Sequence, residues 1–155
     1  MKNDNKSSLT ILNREARFNY FILEELECGI VLTGTEIKAI RDSKVNLKDS
    51  YAVIRHGEMF LINSHIAEYK EGNIFNHDPR RTRKLLLHKQ EIIKLNNKVS
   101  QEGLTLIPLK LYFKKNKVKI LLGLCKGKKT FDKRETIKER DLKRETSKLQ
   151  KYNYK

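Results

Sequence analysis

The chain has 155 residues and a net charge of +15, from 34 Lys and Arg against 19 Asp and Glu. That length suits one domain and excludes a second enzyme-sized one. A basic excess so far beyond what solubility needs points to a polyanionic partner. The 38% hydrophobic fraction is enough for a core. Cys28 and Cys125 lack CxxC spacing, no apolar run follows the N-terminal charges, and Lys110, Lys114 and Lys119 interrupt the most hydrophobic region. A disulfide scaffold, a leader peptide and a membrane span are therefore not expected, and a cytoplasmic protein is.

Residues 1–12 read as a flexible, polar N-terminus and 13–126 as the folded domain. From Asn13 the alternation of Phe18, Tyr20 and Ile22, followed by Gly29-Ile30-Val31-Leu32, predicts a strand or bent hairpin. Thr33-Gly34-Thr35-Glu36 fits a capping box, with Ile37 and Ile40 on one face of a short helix ending near Ser43. Two β-rich runs between Asp49 and Ile66 flank His56-Gly57-Glu58 and predict a hairpin. Asp78-Pro79 reads as a cap with proline at the first helical position, opening a helix that carries Leu85, Ile92, Leu95 and Val99 and stops before Gly103. A second hairpin joins 104–113 to 117–124 through Lys114-Lys115-Asn116, and Pro108 marks an edge strand or a bulge.

Residues 127–155 form a separate basic tail, with eleven Lys and Arg against five Asp and Glu. Ile137, Leu142 and Leu149 are too few to make a face worth burying. Glu135/Lys138, Glu139/Lys143, Asp141/Arg144 and Glu145/Lys148 nevertheless stand at helical pair spacing, about 0.2 to 0.5 kcal/mol each. A tail disordered in isolation and helical on a partner is expected. The whole reads as mostly β with helices: a small antiparallel OB-type β-barrel with a short and a longer helix, a fold that often receives nucleic acid.

No GxxxxGK[ST], GxGxxG, GxSxG or HExxH occurs, and His56, His65, His77 and His88 lack metal-pair spacing, so no metal and no cofactor are expected. The basic clusters Arg80-Arg81-Thr82-Arg83-Lys84, Lys114-Lys115 with Lys117 and Lys119, and Lys126 with Lys128 and Lys129 are expected to converge. Placed at a helix start, the first opposes the helix dipole, which suits an external phosphate. Aromatic residues interleave with the charges: Phe18, Tyr20 and Phe21 after Arg14 and Arg17, Phe75, and Phe131. Such rings stack on unpaired bases. Alternation leaves Phe18 or Tyr20 exposed, not both, and Phe131 has no core to enter. Glu27 is either a plain surface residue or a hydrogen-bond acceptor for a base edge.

The strings Asn13-Arg14-Glu15-Ala16-Arg17, 29–38, Asp49-Ser50-Tyr51-Ala52, 75–87, 126–129 and Asp132-Lys133-Arg134 closely resemble the SsrA-binding, or small protein B, family of bacteria over about residues 9 to 150. The resemblance implies a noncatalytic, monomeric adaptor that holds the tRNA-like domain of transfer-messenger RNA and brings it to stalled ribosomes, its tail folding as a helix in the empty mRNA channel near the decoding centre. It implies RNA contacts at Asn13, Tyr20, Glu27, Tyr51, Leu86 and Lys119, with Tyr51 and Leu86 either touching RNA or shaping the site. Arg14, Arg17, Arg83, Lys84, Lys126, Lys128 and Lys129 complete the expected RNA set. Ribosome contacts are expected at Phe18, Phe131, Asp132, Lys133, Arg134, Ile137, Lys138, Arg140 and Leu149. This chain has Phe18 and Phe131 where relatives often carry His, or Tyr or His, which keeps stacking and loses a hydrogen bond. Two other classes compete: a small metal-dependent nuclease using His77, Asp78 or Glu36, and a structural ribosomal protein.

Overall fold

The computed structural model describes residues 9–70 and 76–153, apart from the side chains of 148–153. Strand β1 (Thr10–Leu12) and a single helical turn, α1 (Ala16–Asn19), precede the long strand β2 (Tyr20–Ile30). The alternation expected from Phe18 thus begins only at Tyr20. A turn bonded from Ala16 N to Asn13 O (3.2 Å) and from Asn19 N to Glu15 O (2.9 Å) carries Phe18 and buries Ala16.

Helix α2 (Gly34–Arg41) starts as expected from its capping box. Thr33 N donates to Glu36 Oε1 at 2.8 Å, and Glu36 N donates to Thr33 Oγ1 at 3.4 Å. After it come β3 (Val45–Asn46), β4 (Tyr51–Arg55), β5 (Glu58–Ile62) and β6 (His65–Ile66), with β3 paired to β6. The β4–β5 hairpin turns on His56 and Gly57 with φ of 52° and 75°. Two left-handed residues in a two-residue loop match the right-handed twist of the strands.

The helix expected from Asp78 does not begin there. Asp78 Oδ1 accepts from Arg80 N (3.0 Å) and Asp78 O from Arg81 N (3.1 Å), closing a turn in place of a helix cap. Strand β7 (Arg83–Leu86) follows, with Arg83 and Leu85 pointing inward and Lys84 and Leu86 outward. Only then does α3 (Lys89–Glu102) start, burying Ile92 and Leu95 and ending on left-handed Gly103. Leu85, seven residues before Ile92, lies in phase with that helix by coincidence.

Strands β8 (Thr105–Lys114) and β9 (Lys117–Gly127) form the second expected hairpin, with Lys115 and Asn116 both left-handed. Its register shifts between Pro108 and Lys110, so Pro108 marks a bulge. The sheet runs β1-β8-β4-β5-β7-β2-β9, and additional β8–β9 pairing closes it into an antiparallel ring of OB type. Ile40, Leu47, Met59, Leu61, Leu85, Ile120, Leu122 and Leu124 fill the ring, each at most 1% exposed. At roughly 1.5 to 3 kcal/mol per buried side chain, this filling is the main force holding the barrel. Helix α4 (Thr130–Asn153) extends from the end of β9.

Candidate nucleic-acid interface

On the outer face of β2, β9 and β8, neighbouring strands set Glu27 opposite Leu121, and Gly29 and Tyr112 opposite Lys119. The Tyr112 hydroxyl donates to Glu27 Oε2, and Lys114 Nζ lies 3.3 Å from Oε1. The Tyr112 hydrogen bond, aided by Lys114 and Lys119, holds the Glu27 carboxyl below its ordinary range despite a smaller opposing effect of burial. Burial, followed by the neighbouring Glu27, pushes the Tyr112 phenol up. Glu27 is thus an ionised acceptor in a cationic and aromatic frame. Leu86 lies over Gly29, where an added Cβ would come within 3.3 Å of Leu86 Cβ. It is 52% exposed despite being leucine. Lys84 projects from the same face of β7, with Glu58 at 3.3 Å. Glu27, Lys119, Leu86 and Lys84 therefore occupy one face.

A second group gathers near the start of β2, seven residues or roughly 23 Å along the strand from Glu27. Asn13, Tyr20 and Tyr51 line a cleft of about 260 Å³ with Asp49 and Thr105. Asn13 Nδ2 donates to Pro108 O at 2.9 Å and Asn13 N to Leu109 O at 2.8 Å, clipping the loop to the bulge. Asn13 also lines a neighbouring groove of about 400 Å³, with Arg14, Arg17, Glu25, Lys110, Leu121 and Arg140. Because Leu121 borders Glu27 across the strands, this groove joins the two groups.

Arg83 is not available to RNA. Its guanidinium is fully buried, donating to Glu36 Oε2, to Ser64 Oγ at 3.0 Å and to Ser64 O at 3.1 Å. Arg81 NH2 meets the same carboxylate at 2.6 Å and Val31 O at 3.2 Å. Burial raises the Glu36 carboxyl, but the bonds from Arg81, the Thr33 amide and Arg83 together leave it below its ordinary value. Burial lowers Arg83 in turn. The cluster 80–84 therefore opens no helix, and the helix-dipole reason for reading it as a phosphate site falls away. His77 is also buried, its ring nitrogens 2.9 Å from Thr35 Oγ1 and 2.8 Å from Ile66 O. Among the described residues, no three His, Cys, Asp or Glu side chains gather as a metal site.

Lys128 also has a structural part. Its Nζ donates to Arg17 O at 3.0 Å and Thr136 Oγ1 at 2.8 Å, and lies 4.9 Å from the Phe21 ring. It fastens the first turns of α4 to α1. Asp132 Oδ2 accepts from Lys129 N at 3.1 Å, capping the helix start. Phe18 is partly buried beneath Arg140, whose guanidinium lies 5.5 Å from the ring, and Tyr20 is also partly buried. Lys126, Lys129, Arg134, Lys138, Ile137 and Phe131 are exposed, Phe131 by 70%, and Lys133 is intermediate. The Leu149 side chain, Phe75 and Met1 to Ser8 lie outside the described residues. Lys126 and Lys129 stand at the opposite end of β9 from Lys117 and Lys119, so the three basic clusters do not merge into one patch. Tyr112 and Lys110 were missed as site residues, although their period-two spacing with Lys114 on β8 was the available signal. Both cysteines are buried, with burial pushing the Cys28 thiol up to about 12 and Cys125 to about 11.

A closed basic barrel, with cations and aromatic rings on its outside and an appended charged helix, belongs to the class of polyanion-binding β-barrel proteins. The family model described as SmpB protein matches residues 10–152. The SsrA-binding protein of Trichodesmium erythraeum (strain IMS101) is 61% identical over 133 residues, 85% of each chain. That of Enterococcus faecalis (strain ATCC 700802 / V583) is 53% identical over 148 residues, 96% of each chain. A solved structure described as "tmRNA-SmpB: a journey to the center of the bacterial ribosome" is 49% identical with a TM-score of 0.68, covering 83% of this chain and 94% of that one. The chain belongs to the SmpB protein family. No helix among the described residues is long and apolar enough to cross a membrane.

Proposed function

We propose that this protein is a cytoplasmic RNA-binding adaptor that holds the tRNA-like domain of transfer-messenger RNA and delivers it to stalled ribosomes for trans-translation, with α4 sensing the empty mRNA channel. The observation carrying this reading is the outer face built around Glu27. An ionised acceptor framed by Tyr112, Lys114 and Lys119, next to exposed Leu86, offers phosphate neutralisation, packing and base-edge discrimination together. Family membership and the SsrA-binding names of its relatives support it. Asn13, Tyr20 and Tyr51 extend the contact into the neighbouring cleft, with Arg14, Arg17, Lys84, Lys126 and Lys129 as phosphate contacts. Phe18, Phe131, Asp132, Lys133, Arg134, Ile137, Lys138, Arg140 and Leu149 serve the ribosomal side. The protein acts as a monomer and without catalysis.

The nuclease reading loses two of its three groups, because Glu36 and His77 are committed to structural bonds. Capturing the tagged protein from its own cells and sequencing the bound RNA tests the proposal. One enriched transfer-messenger RNA, intact after incubation with Mg²⁺, is the expected result. Cleavage, or equal recovery with every ribosome as a structural ribosomal protein would give, counts against it.

A further inference from the structure

The groove between the barrel and α4 has an unusual charge content. Arg14 from the loop before α1, Arg17 from α1, Lys110 from β8 and Arg140 from α4 line it, with Glu25 as the single carboxylate. Glu25 stands 3.5 Å from Arg17, leaving three cations in excess around about 400 Å³. Lys110 Nζ lies 5.3 Å from the Tyr112 ring, and Arg140 lies against Phe18. Exposed Leu12 supplies an apolar wall. Seating Arg140 on the barrel therefore gathers like charges whose repulsion opposes the contact. A single anion placed among them reverses the sign. Guanidinium groups donate in forks that match phosphate oxygens, and Arg14, Arg17 and Arg140 line one space from three separate segments.

We propose that this groove seats an RNA backbone phosphate, and that the seated phosphate makes RNA binding and docking of α4 mutually reinforcing. The inference rests on the RNA-binding reading above and adds a coupling that reading does not contain. Arg14, Arg17 and Lys110 bring the phosphate onto the barrel, and Arg140 brings the helix onto the phosphate. The coupling is reciprocal: whatever factor RNA adds to docking, the docked helix adds to RNA affinity. The phosphate comes either from the transfer-messenger RNA or from ribosomal RNA.

The signature is a change of sign. In the free protein, Lys110→Gln or Arg14→Gln removes repulsion, so α4 docks better. With RNA bound, the same substitutions remove a phosphate contact, so α4 docks less well. Amide hydrogen exchange of residues 130–147 in the full chain reads both states. One arm adds a transcript of the tRNA-like domain and the other adds vacant ribosomes, and RNA affinity is titrated in parallel. The expected result is exchange about fivefold slower with RNA, partly lost in both variants, which exchange more slowly than the wild type without RNA. Arg140→Gln should weaken transcript binding by a similar factor. Slowing by the transcript alone assigns the phosphate to it, whereas charge-dependent slowing only with ribosomes assigns it to ribosomal RNA. Tight transcript binding with unchanged exchange in both arms, or slowing that the charge variants leave intact, overturns the seat alone. No transcript binding at all overturns the adaptor reading with it.

Discussion

Replacing Arg83 by alanine separates a fold-holding arginine from an RNA-holding one. Removing the guanidinium leaves the fully buried Glu36 carboxylate with the Thr33 amide and, as its cationic partner, only the partly exposed Arg81, and strips the donors from Ser64 and from the carbonyls of Asp78, Pro79 and Arg81. Breaking a buried pair by deleting one partner costs about 3 to 5 kcal/mol. Against a total stability of about 5 to 15 kcal/mol this is a large fraction. The midpoint of thermal unfolding should fall by about 10 °C. The pH dependence has a defined sign. Pairing holds Glu36 below its ordinary 4.5 in the folded state, so its contribution is whole above that pH and is lost as acid protonates the folded carboxylate. The Arg83→Ala variant should therefore lose less stability on acidification than the parent. Urea unfolding followed by circular dichroism from pH 7 to pH 3 measures both effects. RNA binding per folded molecule should be unchanged. A stability loss below about 1 kcal/mol, or an affinity loss at full stability, would refute the assignment.

Three further outcomes follow from the interface and the barrel. Glu27→Ala should weaken binding to transfer-messenger RNA more than binding to random RNA, because a carboxylate cannot neutralise phosphate, and equal losses on a filter-binding titration contradict this. Truncation before Lys133 should lower RNA affinity only about fivefold while abolishing delivery to stalled ribosomes, measured as peptide tagging in a reconstituted system. Gly123→Ala should destabilise by roughly 1 to 3 kcal/mol in a denaturant titration, because its Cβ would stand 3.0 Å from Leu109 and 3.1 Å from Cys125 Sγ.

Local signals were legible in the sequence, and partnerships across the chain were not. Gly57 marked one hairpin turn, Lys115-Asn116 the other, and Thr33 with Glu36 the start of α2, because each acts on its own neighbours. Glu36 has a second role that no local pattern carries, since its partners Arg81 and Arg83 are 45 and 47 residues away. The same distance effect misassigned Arg83, which looked like one more member of a basic run. Asp78-Pro79 signals a turn as well as it signals a helix, and the choice is made by pairing of β7 with β5, invisible from residues 78–87 alone. Glu27 and Lys119 stood out by their charge and Leu86 came only from family resemblance, and the barrel's register explains why they share a face. The bonds of Lys128 to Arg17 O and Thr136 Oγ1, 111 and 8 residues away, add a structural part that its basic run does not signal.

That anchored base makes α4 a lever. Its 24 residues span about 36 Å as a helix. One end is fixed by Lys128 to the backbone of α1, so the helix length sets how far from that point its other end stands. Every residue inserted into the shaft moves the tip outward by about 1.5 Å and turns its leading side by about 100°. Length and azimuth are therefore locked together.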